Sequence, residues 1–156
     1  MKIIKYKKKQ FNQDIETLVG KIKKSKVEFS YIVALSRGGL IPGVVLSHKL
    51  KLNLWPVSWS TRDSQQRETN TWIPEDVNDG HKILVVDDIV DSGACLTSLF
   101  EEWDSCVVNK MNRENIYIAT LIYNKDQCIV PQFYANKISR KKTPEWFEFW
   151  WEDSNG

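Results

Sequence analysis

Three carboxylates, Asp87, Asp88 and Asp91, run directly into the small residues Ser92, Gly93 and Ala94. Paired acids of this kind suit sugar hydroxyls or a hard divalent cation, both of which take oxygen donors. A small-residue turn that opens a helix offers free backbone N–H groups to an anion, above all a phosphate. The stretch therefore presents acids for a hydroxyl- or metal-bearing group beside a nest for phosphate. A second cluster, Ser36-Arg37-Gly38-Gly39, has a related character. Two glycines alone make only a turn, but Arg37 beside them can fork onto phosphate oxygens.

Both clusters need a scaffold that holds them together. Ile83 to Val86 is a continuous apolar run, expected as a short strand buried on both faces and ending at Asp87. Behind the acids the pattern turns helical from Cys95, and Leu96 to Trp103 completes that helix. Tyr31 to Leu35 reads as a second buried strand, followed after the glycines by a helix from about Ile41 or Pro42 to Leu50. Leu54 to Ser60 is a third strand, with Pro56 marking an edge, and Asn115 to Tyr123 a fourth. Phe11, Ile15, Leu18, Val19 and Ile22 recur at helical spacing and predict an amphipathic covering helix over residues 11–24. Lys2 to Lys9 is a short edge strand or arm whose lysines form a solvated face. The expected fold is α/β: a mainly parallel twisted sheet flanked by helices. Such sheets bind ligands beyond the carboxyl ends of their strands, where both clusters fall.

Other classes fit less well. A strand followed by two acids also occurs in P-loop nucleotidases, but no GxxxxGK[ST] run exists in the chain. A receiver domain gathers acids at strand ends without needing the Asp-Ser-Gly turn into a helix. A solvated loop with capping acids does not explain three acids and a small-residue turn behind one apolar strand. With 156 residues the chain is one domain (1–156) with a single sizeable core. A net charge of +2 makes no case for nucleic acid. Cys95, Cys106 and Cys128 form no CxxC and have only His48 and His81 for company, so reduced thiols are expected and a zinc site is not. Without a leader pattern or an apolar run of membrane-spanning length, a soluble cytoplasmic protein is expected.

Two stretches stand apart. Residues 61–80 carry almost no apolar periodicity and read as a mobile functional loop. Near the C-terminus, Trp146, Phe147, Phe149, Trp150 and Trp151 exceed what one short strand can bury on one face. Some of them must form a small subdomain core or an oligomer contact, and a flat ring could stack on the remainder.

VVDDIVDSGACL resembles the ribose-phosphate-binding motif of the type I phosphoribosyltransferases. ALSRGGLIPG is similar to the pyrophosphate loop of the 6-oxopurine members, most closely the bacterial xanthine-guanine branch. The resemblance implies transfer of a 5-phosphoribosyl group from phosphoribosyl pyrophosphate to guanine, xanthine or hypoxanthine, with Mg²⁺ and release of pyrophosphate, in purine salvage. It implies that Asp87 and Asp88 address the ribose, with Asp88 also toward the metal. Asp91 to Leu96, including Ser92, Gly93, Ala94 and Cys95, would hold the 5′-phosphate. Ser36, Arg37 and Gly38 would bind pyrophosphate, with a cis peptide between Ser36 and Arg37. Asp91 would be the general base, with Arg37 and Arg67 as further catalytic groups, Arg67 lying on the closing loop. Lys125 would bind the purine O6, and Trp146 and Phe147 would bind the ring from a C-terminal hood of residues 133–156. Ser60-Thr61 replaces the family's Ser-Tyr pair, and Cys95 stands where many relatives have Thr. A homo-oligomer, dimer or tetramer, is implied as well. Two alternatives stay open: a nucleotide- or phosphoribosyl-pyrophosphate-sensing protein on the same fold, and a transferase for another base.

Overall fold

The computed structural model describes residues 2–59 and 70–153. Among them a five-stranded sheet has the order β3-β2-β4-β5-β6, every neighbouring pair parallel. Its strands are β2 (Tyr31–Ser36), β3 (Leu54–Ser58), β4 (Ile83–Val90), β5 (Ile116–Asn124) and β6 (Phe133–Ile138). A separate parallel pair joins β1 (Ile3–Tyr6) to β7 (Trp146–Phe149). The α/β fold with a parallel sheet flanked by helices is thus present, and β3, which carries Pro56, lies at an edge as expected.

Side-chain alternation along the strands divides the core into two layers. On β4, Ile83 and Val85 face one cluster, together with Leu96, Leu99 and Trp103 from α4 (Ala94–Ser105) and Ile73 and Val77 from α3 (Trp72–Asn78). Leu84 and Val86 face the other, with Phe11, Ile15, Leu18 and Ile22 from α1 (Lys8–Ser25) and Leu46 from α2 (Leu40–Leu50). Each such apolar side chain contributes about 1.5–3 kcal/mol on burial. The helix that follows β2 therefore covers one face and the helix that follows β4 covers the other. The central β2–β4 junction is the point where the winding reverses, and a crevice opens there.

Three expectations need correction. The strand over Ile83 to Val86 does not stop at the acids. Its pairing with β2 ends at Ala34 opposite Val86, but pairing with β5 continues to Val90 opposite Tyr123. Asp87 and Asp88 thus lie within β4, on a stretch that has outrun its neighbour. The polar segment 61–80 contains α3, whose Ile73, Pro74 and Val77 are buried. Residues 133–138, expected in the hood, form the fifth strand of the main sheet. Because β6 begins opposite Ala119, the chain retraces only part of β5, and a short connection suffices for a parallel pair. What stands above the sheet is instead β7 paired with the N-terminal strand β1.

A buried polar network ties that small pair down. The Tyr6 hydroxyl donates to Asp14 on α1, and Asn136 on β6 donates to the same Asp14 oxygen at 2.6 Å and to Leu121 O at 3.1 Å. Burial, and then the Asp14 hydrogen bond, push the Tyr6 hydroxyl far above the ordinary tyrosine range. Around it, Tyr6, Phe149 and Trp151 pack ring against ring, with Phe11 edge-on to Trp151.

Candidate active site

Where β4 outruns β2, the turn after β2 folds back against it. The Ser36–Arg37 peptide is cis, as the resemblance implied. Gly38 and Gly39 follow at distances that admit no side chain. A Cβ on Gly38 would lie 2.1 Å from Asp88 Oδ2, and one on Gly39 would lie 2.3 Å from Val86 O. The two clusters that sequence chemistry singled out are therefore in contact.

They line one cleft of about 230 Å³, with Ser36, Arg37 and Gly38 on one side and Asp87 to Gly93, Cys95 and Leu96 on the other. Its floor includes the buried Trp59. Successive strand residues alternate in direction, yet Asp87 and Asp88 both line the cleft, on the stretch where β4 has left its pairing with β2. Burial, and then the neighbouring Asp88 charge, push the Asp87 carboxyl well above the usual carboxylate range. Burial raises Asp88 too, with Glu152 adding repulsion, while the Ile89 N–H, donating to Asp88 Oδ1 at 2.7 Å, opposes the rise. The hard oxygen donors of these two adjacent acids suit Mg²⁺. That ion keeps several waters and takes one or two carboxylates plus substrate phosphates. Among the described residues, no group of three or more His, Cys, Asp or Glu side chains could hold a metal ion by itself.

Beyond the acids, Gly93 has φ 76°, a left-handed conformation that favours glycine, and α4 starts immediately after it. Among the described residues no side chain caps this helix start, and Ser92 Oγ accepts from the Ala94 N–H at 3.2 Å. The first-turn amides and the positive end of the helix dipole thus face the cleft, the arrangement a phosphate requires. Cys95, in the same turn, places its Sγ 3.4 Å from Trp59 O.

A smaller cavity of about 100 Å³ adjoins the cleft and shares Asp88, Ile89, Asp91 and Glu152 with it. Its remaining walls are Arg140, Trp146, Phe147 and Phe149. Trp146 is 39% exposed, whereas Phe149 is buried in the packing under the hood. Together the two cavities fall in the size range of small-molecule sites.

Several site residues escaped the sequence reading, Arg140 and Glu152 foremost. Arg140 forks onto Asp91, Nε lying 2.9 Å from Oδ1 and Nη2 2.7 Å from Oδ2. Asn124 Nδ2 adds a bond to Asp91 Oδ1 at 3.2 Å. The hydrogen bonds to Asp91 hold the Arg140 guanidinium above its ordinary range. Glu152 reaches the cleft from the C-terminal end, its Oε2 accepting from the Phe149 N–H at 2.9 Å. Lys125 stands just past β5 with its N–H bonded to Ile138 O, is exposed, and lines neither cavity. Arg67 and the Ser60-Thr61 pair lie outside the described residues.

The contact between a Gly-rich corner and an acidic strand end that leads into a helix extends the sequence motifs into one geometry, and the phosphoribosyl transferase domain model matches residues 5–152. This chain belongs to that family. Among curated relatives, xanthine-guanine phosphoribosyltransferase of Idiomarina loihiensis is 35% identical over 78 residues, covering 47% of this chain and 48% of that protein. The chain thus spans about half the length of the curated relatives it matches. Among solved structures, a purine phosphoribosyltransferase from Pyrococcus horikoshii Ot3 superposes with a TM-score of 0.72 at 24% identity, covering 100% of this chain and 98% of that one. A Neisseria gonorrhoeae protein with bound ppGpp gives 0.71 at 20% identity, covering 99% and 91%. At such identities these structures share the phosphoribosyl transferase fold. Among the described residues, no helix is long and apolar enough to cross a membrane.

Proposed function

We propose that this chain transfers the 5-phosphoribosyl group of phosphoribosyl pyrophosphate to a 6-oxopurine base, releasing pyrophosphate. The observation that carries the reading is the contact of Gly38 with Asp88, which joins an anion-binding corner and a sugar-phosphate cradle in one cleft. The 5′-phosphate would rest on the amides at the start of α4, from Asp91 to Leu96. Asp87 and Asp88 would accept from the ribose hydroxyls. Arg37 and the Gly38 backbone would take up charge on the departing pyrophosphate. The reacting sugar gains positive charge as its bond to pyrophosphate lengthens, and the carboxylates of β4 would stabilise it. Asp91, which lines both cavities, would receive a proton from the purine. Trp146 and Phe147 would flank the ring, a stacking contribution of about 1–3 kcal/mol. Asp88, together with Asp87, would hold Mg²⁺, which supplies charge neutralisation to the phosphates.

The xanthine-guanine relatives support a 6-oxopurine as the acceptor. Pyrophosphate release, measured with Mg²⁺, phosphoribosyl pyrophosphate and separately guanine, xanthine, hypoxanthine and adenine, tests the reading. Release with one or more of the first three is expected. Release with adenine alone overturns the substrate class. No release with any base, alongside retained binding of a purine nucleotide, establishes the sensing alternative instead.

A further inference from the structure

We propose that Arg140 is a positioning residue that sets the spacing between the purine-facing hood and the acid beneath it. The inference rests on the functional reading above for its kinetic consequence, but not for its structural one. The guanidinium spends its donors in two directions. On one side it grips both oxygens of Asp91, with Nε 2.9 Å from Oδ1 and 3.1 Å from Oδ2, and Nη2 2.7 Å from Oδ2. On the other side Nη1 donates to Thr143 O at 3.2 Å and to Glu145 O at 2.6 Å. Those carbonyls belong to the backbone that leads directly into Trp146 and Phe147. The face of the same guanidinium lies 5.5 Å from the centre of the Phe147 ring.

Arg140 is itself firmly placed. Ser139 Oγ donates to both oxygens of Asp126, at 2.7 and 3.0 Å, and the chain after β5 is bonded back to residues 138–141. One planar cation thus joins three parts of the chain: the end of β4, the turn after β6, and the approach to β7. The small cavity lies among them. Lysine could answer the Asp91 charge but offers no planar fork to satisfy an acid and two carbonyls at once. Truncating Arg140 would free the hood backbone and Asp91 from each other. Arg140 reaches Asp91 through its side chain, and the amides of α4 begin further along, at Ala94. The expected signature is therefore a loss confined to the base.

The test uses the full chain and two readouts. In steady-state kinetics, Arg140→Ala should raise the purine KM about ten- to hundred-fold, the range for losing charge-assisted hydrogen bonds. The KM for phosphoribosyl pyrophosphate should stay within about twofold. Arg140→Lys should recover less than half of the lost base affinity on a logarithmic scale. A variant with an unchanged purine KM, or one whose two KM values rise together, overturns the kinetic claim. The second readout needs no activity. Amide hydrogen exchange over residues 143–149 should accelerate in Arg140→Ala and also in Asp91→Asn, although Asp91 touches none of those amides. Acceleration in neither variant, or in Arg140→Ala alone, overturns the coupling. Coupling seen by exchange in a wild type that uses no base would refute the functional reading and leave the positioning role standing.

Discussion

Gly38 lies flat against the Asp88 carboxylate: a Cβ there would sit 2.1 Å from Oδ2, 2.4 Å from Cγ and 2.7 Å from Oδ1. Asp88 is short and buried, so it cannot swing aside as a long surface side chain would. Gly38→Ala should therefore displace the acid and lower kcat/KM by at least about 100-fold, the cost of misplacing one catalytic group by an ångström. Gly39→Ala meets backbone instead, at Val86 O and Leu35 O, and should fail at the level of the fold. Gly20 offers the contrast: it is in α1 with nothing within 4 Å of its absent Cβ. Gly20→Ala should stabilise by about 0.5–1 kcal/mol with activity unchanged. Thermal melts and initial rates on the three variants separate these outcomes. Equal behaviour of Gly38→Ala and Gly20→Ala would remove the claim that the corner and the acid are in contact.

Asp87 and Asp88 give the stability a definite pH dependence. Both carboxyls are pushed up in the folded chain, burial being the first cause in each case. The folded state then holds more protons than the unfolded state between the ordinary carboxylate range near 4 and the raised values. Their contribution is complete below the unfolded pKa and is lost as pH rises through the folded values. Stability without ligand should accordingly fall from pH 4.5 to 7.5 at this site (these pH values are about the limits of the carboxylate window). Asp88→Asn should flatten that slope and raise stability at neutral pH by about 1–2 kcal/mol, while lowering transfer activity sharply. Denaturation curves across the pH range decide it, and an unaltered slope in Asp88→Asn would contradict the assignment.

The cradle was legible because its chemistry is contiguous. Asp87 to Leu96 carries strand, acids, turn glycine and helix start in unbroken order, and the neighbouring corner is equally local. Arg140 is not of this kind. It meets Asp91 across 49 positions of chain, from a run of basic and polar residues with no local pattern to separate it from its neighbours Lys141 and Lys142. Glu152 is hidden likewise, since only the turn after β7 aims it at the cleft. The α3 helix did leave a trace, Ile73 and Val77 four apart, but one turn of spacing is too little among polar neighbours to outweigh a loop. The β6 strand gave still less. Its FYANKI alternates poorly because only Phe133 is fully buried on that edge. Strongly patterned contiguous segments were readable, whereas weakly patterned ones and side chains that meet from distant segments were not.

Asp14 should be a stability residue whose loss is felt in the hood. It accepts from Tyr6 and from Asn136 in a buried setting, so Asp14→Ala leaves the phenol without this acceptor and the amide with Leu121 O alone. The expected cost is about 2–4 kcal/mol. Tyr6→Phe, which removes a donor and keeps the ring against Phe149, should cost less. Urea denaturation measures both, and equal losses would show that the Tyr6–Asp14 hydrogen bond carries the whole effect and that Asn136 adds nothing to it.

Cys95 bears on substrate affinity. It lies in the first turn of α4, lines the cleft beside the amides that face it, and sets its Sγ 3.4 Å from Trp59 O. A thiol is a weak hydrogen-bond donor and a weak acceptor, whereas a threonine hydroxyl does both well. At this position a hydroxyl can keep the Trp59 carbonyl satisfied or turn to a phosphate oxygen within the same turn. One added hydrogen bond to a charged group is worth about 1.5–3 kcal/mol at most, and part of it replaces an existing contact. Cys95→Thr should therefore lower the KM for phosphoribosyl pyrophosphate by about three- to tenfold, with kcat changed less than twofold. The purine KM should not move, since Cys95 lies outside the smaller cavity. An unchanged or raised KM for phosphoribosyl pyrophosphate would mean that the α4 start does not hold the 5′-phosphate through this side chain.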